Sequence, residues 1–262
     1  MALLTINDLD ISYNNTLTVS GFSLSLGQGE ICSIVGESGS GKTTVIRAVL
    51  GLLPVGGKVT AGSITYDGRE LTSLDKKQWH ELRGRDISMI FQDSGAMMNP
   101  TRTVGATFVE YIRAHEKIPK KDAWSKAAEM LTKMRLPDAG RIMKEYPFRL
   151  SGGMRQRVGI AMGMTYQPKL LLADEPTSAL DATTQAQIVR EMGELRDEYG
   201  TSIIMVTHDL GVASYISDRI VVMRNGRIEE SGDRDTILHR TENEYTKMLL
   251  DAVPTLGGER FV

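Results

Sequence analysis

Cysteine is nearly absent from the 262-residue chain, which contains only Cys32. A single thiol cannot form a disulfide within the chain, and it cannot supply the several thiolates that an iron–sulfur cluster needs. The lack of a disulfide framework is typical of a protein in a reducing compartment such as the cytoplasm. Because Cys32 lies inside the apolar run ICSIV, we predict that it is a small buried strand residue and not a nucleophile.

Long apolar stretches and an excess of positive charge are also lacking. No window approaches the roughly 20 apolar residues that a helix needs to cross a bilayer. The first residues, MALLTINDLDISY, show no basic region followed by an apolar core, so we expect no signal peptide. A role at a membrane would therefore require docking onto another chain. The net charge is −2, and we expect no nucleic-acid partner.

Short apolar runs alternate with helical segments in the part of the chain that follows residue 168. Helical periodicity at 187–199 ends at Gly200, a residue typical of a helix C-cap, and lies between apolar runs. This strand–helix–strand order predicts a parallel sheet with right-handed crossovers. The β-type runs lie at 3–6, 31–35, 63–66, 87–91, 170–173, 202–206 and 219–223.

The stretch between Phe91 and Pro168 has a different pattern. Helical periodicity dominates it, for example at 120–136, and no strand pattern interrupts it. We interpret this stretch as an α-helical subdomain that is inserted into the sheet-containing core.

A glycine-rich segment, GESGSGKTT at 36–44, directly follows an apolar strand and precedes a helical run. It matches G-x-x-x-x-G-K-[ST] in the context that this motif requires. Its glycines let the backbone curl so that N–H groups point at phosphate oxygens, and the helix that follows adds its positive dipole end. We predict that Lys42 contacts the β- and γ-phosphates of a nucleotide and that Thr43 ligates Mg²⁺. Kinases and GTPases use such a loop too, so it indicates only a nucleotide phosphate.

Two adjacent carboxylates end another buried run, LLLADE. A strand that ends beside the phosphate loop would bring Asp174 to the metal ion, usually through water. Glu175, one residue further, could polarise the attacking water as a general base. The pair therefore predicts hydrolysis of the nucleotide.

A second candidate for anion binding is LSGGMRQR at 150–157. A serine followed by two glycines before a helix forms another helix N-terminus that can bind phosphate. A chain that binds one nucleotide does not need two such phosphate-binding helix N-termini. We therefore predict a dimer related by a two-fold axis, in which Ser151, Gly152 and Gly153 of one chain meet the γ-phosphate held by the other.

With these motifs the chain resembles the ATPases of ABC transporters over essentially residues 1–254. The resemblance implies the α/β fold of a P-loop NTPase, with a RecA-like core, a mixed sheet, an N-terminal antiparallel β subdomain and an inserted α-helical subdomain. It also implies a single ABC ATPase domain over 1–262, divided into a nucleotide-binding core with the β subdomain (1–91 and 168–235), a helical subdomain with the signature motif (92–167) and a C-terminal tail (236–262).

The resemblance assigns roles to further residues and implies ATP and Mg²⁺ as ligands. Tyr13 matches the aromatic residue that stacks on adenine. Gln92 matches the glutamine that senses Mg²⁺ and the attacking water, and His208 matches the switch histidine near the γ-phosphate. The catalytic candidates are thus Glu175, His208 and Gln92, and the metal candidates are Thr43, Gln92 and Asp174. The candidates for nucleotide binding are Tyr13, Gly36, Glu37, Ser38, Gly39, Ser40, Gly41, Lys42, Thr43, Thr44, Ser151, Gly152, Gly153 and Asp181.

Three segments are similar to those of the peptide and nickel importer ATPases: FQDSGAMMNP, YPFRLSGGMRQR and EYTKMLLDAVP. This resemblance implies ATP-driven uptake of peptides, nickel or a related small solute. The partners that it implies are a second ATPase subunit, identical or paralogous, two transmembrane permease subunits and, indirectly, an extracellular or periplasmic solute-binding protein. The expected location is the cytoplasmic face of the cell membrane.

Some positions depart from this subfamily. From Ser94 to Met98 the sequence departs from the pattern that is more usual in the subfamily, which contains a proline. This segment belongs to a loop that faces the membrane subunit in the family. Met154 replaces a common glutamine, which we expect to be tolerated because serine and backbone groups make the phosphate contacts. His80, His115 and His239 are expected to be ordinary solvated residues that do not cluster.

Two other classes share these motifs. DNA-repair and chromosome-structuring ATPases carry long coiled coils between the two halves of the site, but the segment between Gln92 and Leu150 is short and has no sustained heptads. Ribosome-associated ABC factors carry two cassettes in one chain, whereas this chain has one. The importer is therefore the favoured hypothesis.

Overall fold

The structure is a computed structural model that describes residues 2–253 and the backbone of residues 255–256 and 259–260. Its strands are β1 (Ala2–Tyr13), β2 (Thr16–Gly27), β3 (Ile31–Val35), β4 (Gly57–Tyr66), β5 (Arg69–Glu70), β6 (Ile87–Ile90), β7 (Leu170–Asp174), β8 (Ser202–Thr207), β9 (Arg219–Arg224), β10 (Arg227–Asp233), β11 (Thr255–Leu256) and β12 (Glu259–Arg260). Its helices are α1 (Lys42–Val49), α2 (Lys76–Leu82), α3 (Ser94–Met97), α4 (Val104–His115), α5 (Lys120–Lys133), α6 (Ala139–Ile142), α7 (Gly152–Met164), α8 (Ala182–Tyr199), α9 (Leu210–Ile216), α10 (Arg234–His239) and α11 (Glu244–Asp251), with a 3₁₀ turn at Pro147–Arg149.

Side chains at the helix N-termini explain where many of these helices begin. Ser151 accepts a hydrogen bond from the Met154 N–H at the start of α7, and Asp209 accepts two at the start of α9. Each such cap satisfies backbone donors that have no partner within the helix. At the other end of α8, Gly200 adopts φ 66°, which confirms the predicted C-cap.

The central sheet has six strands in the order β10-β9-β3-β8-β7-β6. All neighbours are parallel except β10, which is antiparallel to β9, so the sheet is mixed as predicted. Strands β3, β7 and β8 are buried at every residue, which explains their apolar sequences. The parallel strands end at the same edge, where Val35, Ile90, Asp174 and Thr207 precede or begin the candidate site loops.

The N-terminal strands form a separate antiparallel sheet in the order β2-β1-β4-β5. Its inner residues, such as Ile6 and Phe22, share one core with Val45 and Ile46 of α1 and with Ile34 of β3. The antiparallel sheet therefore covers the helix that follows the phosphate loop. Cys32 belongs to the same core, and burial raises the pKa of its thiol to about 12, which keeps it protonated and unreactive.

Helices α3 to α7 fill the chain between β6 and β7, as predicted for the inserted helical subdomain. Their core includes Phe108, Leu131 and Val158, and it is continuous with Leu171 and Ile203 of the central sheet. No helix of the described residues has the length and apolar character needed to cross a membrane.

The two C-terminal helices pack on the central sheet near β9. Ile237 of α10 and Tyr245 and Leu250 of α11 share a small core with Val35 and Val222. The predicted tail at 236–262 thus contains the end of α10 and the whole of α11, and Pro254 lies outside the described residues.

One expectation about the histidines is wrong. The rings of His80 in α2 and His115 in α4 are stacked with centroids 6.2 Å apart, and His115 also meets Tyr111 and Tyr166 edge-on. These residues are far apart in the sequence, so only the packing of α4 against the core brings them together. His239 lies elsewhere, exposed on α10.

Candidate functional site

The phosphate loop connects β3 to α1, as the motif predicted. Gly41 is the N-cap of α1 with φ 100°, a backbone conformation that favours glycine. A Cβ atom at Gly36 would lie 2.1 Å from the Met223 carbonyl oxygen, so only glycine fits against β9 there. These two constraints hold the loop in a curve at the N-terminus of a helix, which is a site for anions.

Lys42 is buried, with its ammonium group inside the curve of the loop. Its Nζ donates hydrogen bonds to the carbonyl oxygens of Gly36 and Glu37, both at 2.7 Å. Burial lowers the pKa of Lys42, while the carboxylates of Glu175 and Asp174 act in the opposite direction. A cation is therefore held at the point where the phosphates of a nucleotide would lie.

Thr43 and Asp174 present two oxygen atoms side by side. The Thr43 hydroxyl donates a hydrogen bond of 2.7 Å to Asp174 Oδ1, joining α1 to the end of β7. Burial raises the pKa of Asp174, and the Thr43 hydrogen bond partly offsets this effect. The positive charges of Arg47 and Lys42 also act to lower the pKa of Asp174.

Glu175 lies at the centre of a polar cluster. Its Oε2 accepts a hydrogen bond from Gln92 Nε2 at 3.3 Å and lies 3.2 Å from His208 Nδ1. Ser178 supports the cluster, because its hydroxyl donates to the Glu175 carbonyl oxygen and accepts from Gln92. Glu175 itself adopts φ 43°, an uncommon conformation for a residue with a side chain. The structure thus brings together the three residues that were predicted to be catalytic.

A cleft of about 800 Å³ contains both the phosphate loop and the Glu175 cluster. It is open to solvent and large enough for a nucleotide. Its lining consists of Thr18, Gly36, Glu37, Ser38, Gly39, Gly41, Lys42, Thr43, Thr44, Gln92, Glu175, His208 and Leu249. Ser40 lies just behind the lining, buried in the loop.

Thr18 and Leu249 line the cleft but were not predicted. Thr18 lies on β2, five residues after Tyr13, whereas Leu249 lies on α11 more than 200 residues from the phosphate loop. Thr18 belongs to none of the motifs, and Leu249 belongs to EYTKMLLDAVP, to which no role at the site was assigned. Only the position of β2 and α11 in the fold could have indicated that both residues line the cleft. Tyr13 does not line the cleft; it is the last residue of β1, and its ring packs against Gly57, the first residue of β4. Its stacking role stays a prediction.

The Ser151 segment lies apart from the cleft. Ser151 caps α7, and Gly152 and Gly153 form the first turn of that helix, so the predicted helix N-terminus exists. Gly152 and Leu180 line a separate small pocket. None of Ser151, Gly152 and Gly153 lines the cleft. Asp181 uses its carboxylate to cap α8, where the hydrogen bonds from Thr184 lower its pKa. Within one chain, the N-termini of α1 and α7 therefore do not line a common cleft.

The glycine-rich loop joins a parallel strand to a helix that starts at a buried lysine, and an aspartate ends β7, the next strand but one in the sheet. Together these features define a nucleotide-hydrolysing protein of the P-loop class. The family model described as "ABC transporter" matches residues 19–178. The chain belongs to the ABC transporter family of ATPases, and ATP is the nucleotide that it binds and hydrolyses.

Transport ATP-binding proteins are similar in sequence to nearly the whole chain. The oligopeptide transport ATP-binding protein OppD of Salmonella typhimurium is 43% identical over 261 residues, covering 98% of this chain and 78% of that protein. The dipeptide transport ATP-binding protein DppD of Bacillus subtilis is 43% identical over 259 residues, covering 97% of this chain and 77% of that protein. The predicted resemblance to peptide-transporter ATPases is confirmed.

Solved structures confirm the predicted fold. The ATP-binding cassette MJ0796, in a dimeric post-hydrolysis state bound to ADP and Pi, matches with a TM-score of 0.78 and 28% identity over 88% of this chain and 98% of that one. The protein cbiO1 from Clostridium perfringens, part of the ABC transporter complex cbiONQ, matches with a TM-score of 0.78 and 26% identity over 90% of each chain.

Proposed function

We propose that this ATPase is the energy-coupling subunit of an importer that takes up peptides, nickel or a related small solute. The observation that supports the transport role is the 43% identity to oligopeptide and dipeptide transport ATP-binding proteins along nearly the entire chain. In this proposal the chain is one cassette with the core at 1–91 and 168–235, the helical subdomain at 92–167 and the tail at 236–262. It works at the cytoplasmic face of the cell membrane.

The residues of the cleft have distinct roles in the proposed hydrolysis. Lys42 and the N–H groups of the phosphate loop bind the phosphates of ATP. Glu175 accepts the proton of the attacking water, and Gln92 and His208 hold its carboxylate in place through the contacts at 3.3 and 3.2 Å. Tyr13 stacks on the adenine.

The donor set of the cleft fits Mg²⁺. The oxygen atoms of Thr43 and Asp174 lie 2.7 Å apart, and Mg²⁺ is commonly held by one or two such groups while it keeps several waters. The described residues contain no cluster of three or more acidic, histidine or cysteine side chains that could hold a metal ion by themselves. Bound Mg²⁺ would neutralise phosphate charge, and Gln92, which lines the same cleft as Thr43, is a further candidate ligand.

The separation of the two helix ends supports a shared site. Ser151, Gly152 and Gly153 of one chain contact the γ-phosphate held by a second ATPase subunit, identical or paralogous, and Asp181 borders the same interface. Each composite site then needs ATP to close, so ATP favours the closed dimer and hydrolysis reopens it.

A groove between the core and the helical subdomain is our proposed docking surface for the two permease subunits. It has a volume of about 210 Å³ and follows β6 into α3. Met97 is 60% exposed at this groove, while Met98 is buried beneath it. Methionine adapts to partner surfaces of irregular shape, so the unusual segment from Ser94 to Met98 fits a docking role. The extracellular or periplasmic solute-binding protein would act through the permeases.

Pull-down of the tagged chain from membranes in mild detergent tests this proposal. We expect multi-spanning membrane proteins to co-purify, and we expect Met97→Glu to lose them while its ATP affinity is unchanged, because a charge would have to be buried in the interface. Met248→Ala, an exposed methionine on α11, is the matched control. Recovery of ribosomes or DNA in place of membrane proteins would contradict the transport role.

A further inference from the structure

Three residues at the C-terminal end of the described chain lie on one face of α11 and its continuation. Tyr245, Leu249 and Val253 are spaced four residues apart, which places them one above the other along a helical path. Tyr245 and Val253 are buried, and Leu249 is partly buried. All three pack with the small core next to β3 and β9.

Tyr245 contacts the phosphate loop directly. The Glu37 N–H donates a hydrogen bond to the Tyr245 hydroxyl at 3.4 Å. Tyr245 is only 5% exposed, and the guanidinium of Arg224 lies 4.6 Å from the centre of its ring. The tyrosine ring therefore packs beneath the Arg224 guanidinium, and its hydroxyl is placed to accept a hydrogen bond from the loop.

Leu249 and Val253 contact parts of the site other than Glu37. Leu249 lines the cleft together with the phosphate loop and His208. Val253 packs beside Gly211, since a Cβ atom built on that glycine would be 3.5 Å from Val253 Cγ1. Gly211 follows His208 by three residues, so α11 and the turn that follows it reach from the phosphate loop to the histidine loop.

We propose that α11 is a positioning element of the ATPase site, in which Tyr245 fixes the phosphate loop at Glu37 and Leu249 forms part of the wall of the nucleotide cleft. Tyr245 is a positioning residue, because it acts through the loop and does not touch the nucleotide. A loop that is already ordered loses less conformational freedom when ATP binds. The proposal rests on the assignment of residues 36–44 as the phosphate site, and it adds to that assignment a role for the C-terminal helix.

Two variants test this role in the full chain with Mg·ATP as the probe. Tyr245→Phe removes only the hydroxyl, and we expect it to raise the Kd and KM for ATP by about two- to tenfold, the effect of one hydrogen bond. Leu249→Ala removes part of the wall, and we expect an increase of about threefold to tenfold. The kcat should stay near that of the unmodified protein in both cases, because Glu175 and its partners are not altered.

Matched controls separate positioning from folding. Tyr215→Phe on α9 and Met248→Ala on α11 change residues that are 64% and 50% exposed, and both should bind ATP like the unmodified protein. A purely structural role of α11 would lower the Tm and the amount of active protein while the KM stays unchanged. That pattern, or an unchanged Kd in both test variants, would overturn the proposal.

Lys42→Ala distinguishes failure of this proposal from failure of the site itself. If Lys42→Ala loses ATP affinity while Tyr245→Phe and Leu249→Ala retain it, the phosphate loop is the site and α11 does not position it. If Lys42→Ala binds ATP as tightly as the unmodified protein, the assignment of the phosphate loop is wrong, and with it the role of α11.

Discussion

At the residue scale, the backbone of Glu175 is unusual. A φ of 43° for a residue with a side chain typically costs about 1–3 kcal/mol and persists where surrounding contacts hold it. Here Gln92, His208 and Ser178 all contact this residue. This conformation points the Glu175 carboxylate into the cleft, whereas the preceding residue, Asp174, contacts Thr43.

We expect Glu175→Gln to bind ATP with unchanged affinity but to lose turnover by about 10²–10⁴-fold, because an amide of the same shape cannot accept the proton of water. ATP titration and a phosphate-release assay measure the two quantities. Glu129→Gln, on the exposed surface of α5, is the control and should be fully active. Turnover by Glu175→Gln at the rate of the control would show that another group is the base.

The last arginine of the LSGGMRQR segment has a structural role. Arg157 on α7 forms two hydrogen bonds with Glu191 of α8, at 2.9 and 3.0 Å, and the side chains are only 16% and 7% exposed. This bidentate pair ties the signature helix to α8.

We expect Arg157→Ala to lower the free energy of unfolding by about 3 kcal/mol, because Glu191 would stay buried without its partner. Urea denaturation measures this change. Arg190→Ala removes a comparable but exposed pair with Glu194 on the same helix α8 and should cost less than about 0.5 kcal/mol. Equal costs for both variants would contradict the role given to burial.

Much of the site could be predicted from the sequence, because the chemistry there depends on short segments. The glycine loop, Lys42 and the Asp174–Glu175 pair each directly follow a buried strand, and parallel strands end at one edge of the sheet. Leu249 and Tyr245 could not be predicted, since their contacts depend on how α11 folds back over the sheet.

At the scale of elements, the apolar strands and the amphipathic helices were predictable, but strands β2 and β10 were not. In β2 the alternation of apolar residues is interrupted near Gly21, where the pairing with β1 shifts its register. In β10 the sequence RIEESGD is polar because the strand lies at the edge of the sheet and is largely exposed. Both strands depend on pairing with neighbours more than on their own pattern.

The histidine stack at the junction of α2 and α4 makes stability depend on pH. Burial lowers the pKa of His115 below its usual 6.5, and the charges of Arg85 and His80 lower it further, while Glu116 opposes them. Tyr111 and Tyr166, which also face the ring, are held protonated by raised pKa values. The folded protein therefore binds a proton at His115 less readily than the unfolded chain does.

For a histidine with a lowered pKa in the folded state, the neutral form stabilises the fold above pH 6.5, and this contribution is lost as the pH falls through the folded pKa. We expect the urea midpoint to fall less between about pH 7.5 and pH 5.5 in His115→Gln than in the unmodified protein. His239→Gln, an exposed histidine, should behave like the unmodified protein. An identical pH response in all three proteins would contradict this assignment.

At the scale of the whole molecule, the two helix N-termini that were predicted to bind anions do not line the same cleft. The N-terminus of α1 opens into the cleft, whereas the N-terminus of α7 borders a different hollow beside Leu180. The dimeric post-hydrolysis structure of MJ0796 shows that a cassette with this fold can pair. The proposed ATPase site is therefore one that two chains complete together.

Mixing two inactive variants tests this claim most directly. Ser151→Arg should spare ATP binding but block closure, because a bulky cation occupies the space beside the γ-phosphate, and Lys42→Ala should lose ATP affinity. In a mixed dimer, one composite site carries both changes and the other carries neither. We predict partial ATPase activity on mixing, above that of either variant alone, once cross-linking shows that mixed dimers form. Mixed dimers without any recovered activity would contradict the shared site.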